Sequence, residues 1–372
     1  MCLREESNMK VAIVHDFLLK LGGAERVLKV LSEMFPKAPI FTLLYDEQAV
    51  GQVFPKERVN ASFLQDYPDF IKKRHRLLTS KMPRAIEELD FENFDLVISS
   101  SNSFAHGIIT PLNTKHLCYC HSPMRYAWDY AAEYRKENDI HGLKGFFYAN
   151  LIKYLREWDR VSADRPTSYV ANSVNVQKRI KKYYGAESDV IYPPVDTKRF
   201  KANGKNSNYF LIVSTLTPYK KIDLAVQLFN KINRRLIIIG DGPQKKYLQS
   251  IAGENIDFLG FKDDKAVKEY MENCRALIFP GEEDFGIVPV EAMACGKPVL
   301  AFGKGGVLES VIPGKTGEFF YEPTVESMED GLARLICNEK FFKPLAIKRH
   351  ANKFSRDIFE KKIKREISEM LI

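Results

Sequence analysis

Two glutamates separated by seven residues are the side chains of this sequence best suited to binding hydroxyl groups. Glu283 follows 276–279, an apolar run typical of a buried strand, and Glu291 lies about one turn inside the helix predicted next. A carboxylate accepts two strong hydrogen bonds, which suits the neighbouring hydroxyls of a sugar or a ribose. On spacing alone, two solvated glutamates on an acidic loop and an ordinary helix are the commoner explanation.

The residues between the two glutamates predict a binding site for phosphate. Phe285, Gly286 and Ile287 present backbone N–H groups at the start of the predicted helix. Hydrogen bonding and the helix dipole both favour an anion at that position. Pro289 stands near the first turn, where a missing N–H costs little. The segment can therefore hold a sugar on one side, a diphosphate in the middle and a ribose on the far side.

This constellation resembles the retaining glycosyltransferases of family 4, whose C-terminal domain carries two glutamates at the same spacing. The resemblance extends over nearly the whole chain. It implies an α/β fold of the GT-B type, with two doubly wound Rossmann-like domains facing across a cleft. It also implies that Glu283 contacts the transferred hexose and that Glu291 contacts the ribose of the donor. The chain is most similar to bacterial mannosyltransferases of surface polysaccharide, especially in segments 121–126 and 219–223.

The alternation of strand and helix patterns agrees with that fold and sets domain limits. Continuous apolar strands separated by helical patterns are typical of parallel sheets covered on both faces. The predicted strands are 11–15, 96–99, 117–121, 169–172, 210–214, 236–239, 258–260, 276–280 and 299–302. We predict an N-terminal acceptor-binding domain at 1–195, a linker at 196–208 and a C-terminal nucleotide-sugar-binding domain at 209–353. Segment 354–372 has an amphipathic pattern, and the resemblance implies a helix that crosses back onto the N-terminal domain.

Lys220 and Thr215 lie in the segment that grips the donor diphosphate in the family. Lys220 matches the family lysine and is expected to offset the charge that builds on the leaving group. Thr215 stands where the family usually has an arginine, and it supplies a hydrogen bond but no charge. Lys221, Arg179 or Arg125 could compensate. The resemblance also places Gly242, Phe261 and Lys262 around the nucleotide, in loops that end consecutive strands.

The N-terminal half contains a glycine pair and a histidine as further candidates. Gly22 and Gly23 follow the first strand and precede a helix, where the backbone can approach a ligand closely. The resemblance implies that they face the donor phosphates and the acceptor, and a tight turn is the alternative. His121 ends a strand, so we expect its imidazole to face the cleft and, by the resemblance, to contact the transferred sugar. The alternative is a histidine satisfied by backbone groups.

Arg125, Trp128 and Asp129 are candidate contacts for the acceptor. They follow His121 in the polar motif that ends the third predicted strand. We expect no cofactor and no bound metal, because no Asp-x-Asp follows a strand and no His/Cys cluster has metal spacing. Helix N-termini and Lys220 would then take the place of Mg²⁺ on the diphosphate. The six cysteines have no framework spacing and are interpreted as free thiols.

The distribution of charge predicts a membrane surface as a partner. The net charge is +8, and six basic residues lie between 72 and 84 without an acidic residue among them. Interleaved apolar residues favour anionic lipid over nucleic acid, and a solvated basic helix is the alternative. No run reaches the length needed to cross a bilayer, and residues 1–10 show no signal peptide. We therefore predict a cytoplasmic protein, peripheral at the inner face of the cytoplasmic membrane.

Together these features predict a retaining transferase that moves a hexose to a lipid-linked saccharide in bacterial polysaccharide or O-antigen synthesis. The preferred donor, GDP-mannose, follows from the resemblance alone. One alternative is a UDP-sugar-dependent glycosyltransferase. Another is a non-catalytic binding subunit of a polysaccharide-assembly complex, and the epimerases and phosphorylases that share the fold are a third.

Overall fold

The chain divides into two compact units, each built on its own sheet. The computed structural model describes residues 9–137, 140–204 and 207–371. The first unit is Met1–Tyr192 together with Phe359–Ile372, and the second is Pro193–Ile358. The limits predicted from sequence were 195 and 354. Residues 1–8, on which the signal-peptide prediction depends, and residues 205 and 206 of the predicted linker lie outside the described residues.

A parallel sheet forms the centre of the first unit. In the described residues its seven strands pair in the order β3-β2-β1-β4-β5-β6-β7. They are β1 Val11–Leu18, β2 Ile40–Tyr45, β3 Val59–Ala61, β4 Leu96–Ser101, β5 Lys115–Cys120, β6 Ser168–Ala171 and β7 Asp189–Val190. The connections run outward in opposite directions from β1 and from β4, which are neighbours. The carboxyl ends of these two strands are therefore the switch point at which ligands bind in such sheets.

Helices pack on the sheet of the first unit through two separate apolar clusters. They are α1 Gly23–Met34, α2 Glu47–Val50, α3 Asp69–Lys72, α4 Met82–Glu87, α5 Ala131–Glu137, α6 Gly142–Ser162 and α7 Val174–Tyr184. Side chains of β1 alternate between the clusters, with Ile13 in one and Val14 in the other. Local signals set the limits of α7: the Ser173 hydroxyl accepts the Val176 N–H, and Gly185 ends the helix with a φ of 72°.

The second unit has the same type of architecture. Six strands of the described residues pair in parallel in the order β10-β9-β8-β11-β12-β13. They are β8 Phe210–Val213, β9 Leu236–Ile239, β10 Ile256–Gly260, β11 Ala276–Phe279, β12 Val299–Phe302 and β13 Gly317–Phe320. The helices are α8 Ile222–Ile232, α9 Lys245–Ser250, α10 Asp264–Asn273, α11 Ile287–Ala294, α12 Val307–Ser310, α13 Val325–Cys337 and α14 Pro344–Ala351. Here the switch point lies between β8 and β11.

The last helix, α15 Arg356–Met370, supplies part of the first unit's core. Phe359, Ile363 and Ile367 are buried in the same apolar cluster as Tyr119 of β5. The rings of Tyr119 and Phe359 meet edge to face, with centroids 5.6 Å apart. The amphipathic pattern at the C-terminus therefore corresponds to a helix that packs on the N-terminal sheet.

The predicted α/β class, with two Rossmann-like parallel sheets, is confirmed. Four strands, β2, β3, β7 and β13, were not among the predicted ones. β3 and β7 are edge strands of three and two residues, too short to show a pattern. β13 begins with a glycine and buries Glu318, whose carboxylate accepts a hydrogen bond of 2.9 Å from Asn338. No helix of the described residues is long and apolar enough to span a bilayer.

Candidate active site

The switch point of the second unit brings Lys220 and Glu283 together. Lys220 ends the short 3-10 turn Pro218–Lys220 after β8, and Glu283 lies in the loop after β11. Their side chains form an ion pair and are 16% and 21% exposed. The two loops touch closely, because a Cβ at Gly281 would lie 2.8 Å from the Lys220 Cα. A glycine at position 281 is therefore required for this approach.

The start of α11 lies between the two predicted glutamates. Gly286 caps the helix with a φ of 86°, and the helix begins at Ile287. Phe285 is 2% exposed and its ring packs on Phe354, with centroids 5.5 Å apart. Its side chain is therefore a structural anchor, and the group it can offer a ligand is its backbone. The N–H groups of the first turn have no partners within the helix, so this end favours an anion.

Glu291 is buried on α11 and is held by an arginine that the sequence analysis missed. Its Oε1 lies 2.7 Å from Arg199 Nη2, and the glutamate is 6% exposed. The same guanidinium donates to Asp264 at 3.1 Å and stacks on Phe200. Arg199 is 92 residues from Glu291 in the chain, so no local spacing relates the two.

The remaining donor candidates of the second unit lie in loops at the same edge of the sheet. Thr215 is exposed after β8, and Lys221 adopts a left-handed conformation with a φ of 52°. Gly242 follows β9 and packs on the loop after β8, since a Cβ there would lie 2.5 Å from the Leu216 carbonyl oxygen. Phe261 and Lys262 follow β10 and are exposed, and Phe261 retains 81% of its accessible surface.

In the first unit, the glycine pair begins α1. Gly22 is the N-cap, and its N–H donates to the Glu25 carboxylate at 2.8 Å. Glu25 Oε1 also lies 3.7 Å from His15 Nε2, and both side chains are buried. Burial alone would lower the pKa of His15, but the hydrogen bond and charge of Glu25 raise it above its ordinary value. The glycine loop is thus tied to the switch point of the first sheet.

His121 is largely buried at the end of β5, where its ring contacts a serine of the neighbouring strand. It is 6% exposed, and its Nε2 lies 2.8 Å from Ser100 Oγ. Burial, with a smaller contribution from His15, lowers the pKa of His121 to about 3, so the ring is neutral near pH 7. The carbonyl of His121 accepts a hydrogen bond from Asn172 at 2.9 Å. Strand pairing with β4 explains the burial, since the ring lies beside Ser100.

Trp128 and Asp129, proposed as acceptor contacts, make internal interactions. Trp128 donates its indole N–H to Asp159 at 2.7 Å and stacks on Tyr183, with centroids 4.7 Å apart. Asp129 accepts hydrogen bonds from Arg179, at 2.5 Å, and from Tyr183. Burial opposes the effect, but these two groups hold the pKa of Asp129 below its ordinary value.

Arg125 and Arg179 have contacts of their own within the first unit. The Arg125 guanidinium lies 5.8 Å from the centroid of the Tyr130 ring. Arg179 Nη1 donates to Ser122 Oγ at 3.0 Å, in addition to its pair with Asp129.

Sequence reasoning also missed the role of buried polar groups around β4. Asp16 accepts backbone N–H groups of the loop that follows this strand, those of Asn102, Ser103, Phe104 and Ala105. The sequence did contain a signal of these groups. His15 and Asp16 interrupt the otherwise apolar strand β1, and three serines end β4. Among the residues that the structure describes, no three His, Cys, Asp or Glu side chains gather as metal ligands.

Two family profiles match the chain and together span most of it. "Glycosyltransferase Family 4" matches residues 21–199, and "Glycosyl transferases group 1" matches residues 195–354. The fold also matches that of Anabaena HepE in complex with UDP-glucose, with a TM-score of 0.70 and 19% identity. That match covers 97% of this chain and 100% of the other.

Curated relatives include enzymes named as mannosyltransferases. The alpha-1,3/1,6-mannosyltransferase ALG2 of Dictyostelium discoideum is 23% identical over 92% of this chain and 97% of its own length. An uncharacterized glycosyltransferase of Methanocaldococcus jannaschii is 29% identical over 58% of this chain and 63% of its own length, less than two thirds. The O-antigen chain mannosyltransferase RfbU of Salmonella typhimurium is 27% identical over 43% of this chain and half of that relative.

The profiles meet near the boundary between the two units, and each half of the chain carries the sheet and the motif loops described above. The protein belongs to the group 1 glycosyltransferases of family 4.

Proposed function

We propose that this protein is a retaining mannosyltransferase that transfers mannose from GDP-mannose to a lipid-linked saccharide in bacterial polysaccharide synthesis. One observation carries the proposal. Lys220, Glu283 and the start of α11 meet at the carboxyl edge of a doubly wound sheet, where ligands of such sheets bind. This set offers a cation, a carboxylate and the backbone N–H groups of a helix N-terminus, all of which can bind a nucleoside diphosphate sugar.

In the proposed complex the diphosphate replaces Glu283 as the ion-pair partner of Lys220. Without a ligand, the ammonium of Lys220 is paired with Glu283. A diphosphate at the α11 N-terminus competes for that ammonium and frees the Glu283 carboxylate for hexose hydroxyls. Lys220 and the helix N–H groups then stabilise the negative charge that builds on the leaving group. Glu291, oriented by Arg199, accepts hydrogen bonds from the ribose hydroxyls.

The steps of transfer follow from the groups around the donor. The β-phosphate that departs accepts the proton of the incoming hydroxyl on the same face of the sugar, so the anomeric configuration is retained. No covalent intermediate is part of this proposal. The diphosphate charge is neutralised by Lys220 and by helix N–H groups, without a metal ion. In the first unit, His121 offers a neutral imidazole to a sugar hydroxyl.

The choice of mannose rests on the relatives, whereas the choice of a lipid-linked acceptor rests on the basic and apolar surface of the first unit. The Dictyostelium and Salmonella proteins are named as mannosyltransferases, the second of the O-antigen chain. The Anabaena structure contains UDP-glucose, so a UDP-sugar donor is the second candidate.

A panel of ligands decides between these donors. Thermal stability is measured with GDP, UDP and ADP, and with GDP-mannose, UDP-glucose and ADP-glucose, first in EDTA and then with Mg²⁺ or Mn²⁺. A ligand that binds the folded state raises stability according to its concentration relative to its dissociation constant. We expect the largest shift with GDP-mannose. A larger shift with UDP-glucose would contradict the donor assignment, and a shift that requires Mg²⁺ or Mn²⁺ would contradict metal independence.

The proposal includes an anionic membrane as a partner of the first unit. Phe70, just before the basic run 72–84, and Leu77, within it, are exposed beside Lys73 and Arg74. They retain 69% and 68% of their accessible surface. Leu78 and Met82 in the same run are buried, so they belong to the core and not to the proposed surface. Exposed basic and apolar side chains next to one another favour binding to anionic lipid.

A second apolar surface lies on α6 of the same unit. Leu143, Phe146 and Phe147 are exposed near the start of this helix, beside Lys144. Tyr148 of the same helix instead contacts the protein, with its hydroxyl 3.4 Å from the Ala131 carbonyl. Peripheral attachment at the inner face of the cytoplasmic membrane would bring the enzyme to a lipid-linked acceptor.

A further inference from the structure

The last three residues of β4 are serines, and each hydroxyl meets a buried histidine. The contacts are Ser99 with His116 at 2.7 Å, Ser100 with His121 at 2.8 Å and Ser101 with His106 at 3.3 Å. Ser100 differs from Ser99 because its Oγ also lies 3.1 Å from Nδ1 of a second histidine, His15. A chain of polar groups thus runs through the switch point of the first sheet, from Glu25 through His15 and Ser100 to His121.

The contacts of Ser100 fix the direction of the hydrogen bonds. Nδ1 of His15 lies 2.9 Å from the carbonyl oxygen of Ser100, which can only accept, so this nitrogen carries a proton. The same N–H is directed toward Ser100 Oγ. The hydroxyl accepts that N–H and keeps one proton to donate, and Nε2 of His121, 2.8 Å away, is an acceptor within reach of it.

Glu25 stabilises the donor end of the chain. Its carboxylate faces Nε2 of His15 at 3.7 Å and accepts the Gly22 N–H at 2.8 Å. The carboxylate favours a protonated His15, in which both ring nitrogens are donors. The glycine loop and the histidine are thereby held by one side chain.

We propose that Glu25, His15 and Ser100 are positioning residues that fix the tautomer of His121. In this arrangement Nε2 of His121 accepts from Ser100, and Nδ1–H is the donor presented to substrate. None of the hydrogen bonds of the described residues uses His121 Nδ1. An N–H at this position suits an oxygen acceptor, such as a sugar hydroxyl. The inference rests on the proposed function only for the identity of that oxygen.

The first test reads the tautomer directly, in the whole protein without substrate. Nitrogen-15 NMR of labelled histidine separates protonated from unprotonated ring nitrogens, and His121→Gln assigns the signal. We expect His121 in the wild type to be neutral, protonated at Nδ1 and bare at Nε2. A wild-type His121 signal from the opposite tautomer would overturn the inference.

Two serine variants distinguish the loss of the Ser100 hydrogen bond to His121 from the general effect of removing a buried hydroxyl. Ser99→Ala and Ser100→Ala each delete one buried hydroxyl of β4 that contacts a buried histidine, His116 on β5 or His121 directly after it. Ser100→Ala should give a mixture of His121 tautomers, whereas Ser99→Ala should leave the His121 signal unchanged. An unchanged His121 signal in Ser100→Ala, or an equal change in both variants, would contradict the positioning role of Ser100.

A kinetic comparison then tests whether the hydrogen bond from Ser100 to His121 contributes to glycosyl transfer. Ser100→Ala should lower kcat by about tenfold or more, the usual cost of losing a group that orients a reacting one, with little change in the donor KM. Ser99→Ala should retain wild-type kcat. Equal kcat in the two variants would contradict the role in transfer. A wild type without transferase activity would instead contradict the proposed function, while the NMR result would still decide the tautomer.

Discussion

At the scale of single residues, the carboxylates of the candidate donor site form ion pairs with basic side chains of the same unit. Lys220 pairs with Glu283, and Arg199 pairs with Glu291. The glutamates and Lys220 could be predicted because their spacing and loop positions are local. Arg199 could not, since the pair joins residues 92 positions apart. The burial of His121 was also missed, because it depends on a partner, Ser100, on a neighbouring strand.

Arg199 should be required for nucleotide binding. Arg199→Met leaves the buried carboxylate of Glu291 without this partner, so we expect weaker binding of free GDP, by about 1–3 kcal/mol. Isothermal titration calorimetry measures the change. Arg235→Met is the matched control, because it breaks an exposed pair with Asp257 in the same unit and should leave GDP affinity unaltered. Equal GDP affinity in wild type and Arg199→Met would contradict the role given to Arg199.

At the scale of elements, the patterns that could be predicted from the sequence are those of buried strands and long helices. The apolar runs of β8, β11 and the first four residues of β1 are continuous because helices cover both faces of each sheet. Strands such as β13 carry a polar residue whose partner lies elsewhere, and a local pattern cannot show such a partner. The same limit applies to β4, whose three serines look polar in sequence and are buried against histidines.

α15 should stabilise the first unit through its buried ring. Phe359→Ala removes a side chain that is 1% exposed and packs on Tyr119, so we expect a loss of about 3–5 kcal/mol in the free energy of unfolding. Chemical denaturation followed by tyrosine and tryptophan fluorescence reports the change. The neighbouring Ile358 is 40% exposed, and Ile358→Ala should cost less than about 1 kcal/mol. Similar losses for the two variants would show that Phe359 is not a core contact.

The histidines beside β4 should make the folded state sensitive to acid. Burial lowers the pKa of His116 and His121 to about 3, whereas the unfolded chain titrates near 6.5. Between these values only the unfolded chain binds the two protons, so stability is full above about pH 6.5 and falls as the pH drops. Burial lowers the pKa of His106 to about 4 and raises that of Asp159 to about 7. Their contributions to the pH dependence of stability have opposite signs and largely cancel.

The unfolding equilibrium constant measures this linkage. The two protons that His116 and His121 take up on unfolding contribute about a hundredfold increase in that constant for each pH unit lost between 6 and 4.5. His116→Gln should reduce the slope by about tenfold per unit. A stability that is independent of pH in this range would contradict the burial of neutral histidines.

At the scale of the whole molecule, surface charge and exposed apolar side chains predict how the enzyme meets its acceptor. Vesicle flotation should show binding that requires anionic lipid and weakens in high salt. The variant Lys73→Gln/Arg74→Gln/Arg76→Gln should lose most of that binding. Its control, Lys361→Gln/Lys362→Gln/Lys364→Gln, removes the same charge from exposed positions of α15 and should bind as the wild type does. Equal binding to neutral vesicles would contradict the membrane proposal.

The central claim is that one carboxylate holds the nucleotide and the other holds the hexose. Calorimetric titration of GDP and of GDP-mannose into the wild type, Glu291→Gln and Glu283→Gln tests it most directly. We predict that Glu291→Gln weakens both ligands by about 1–3 kcal/mol, and that Glu283→Gln weakens GDP-mannose while leaving GDP nearly unchanged. Equal losses of GDP affinity in the two variants would contradict the account.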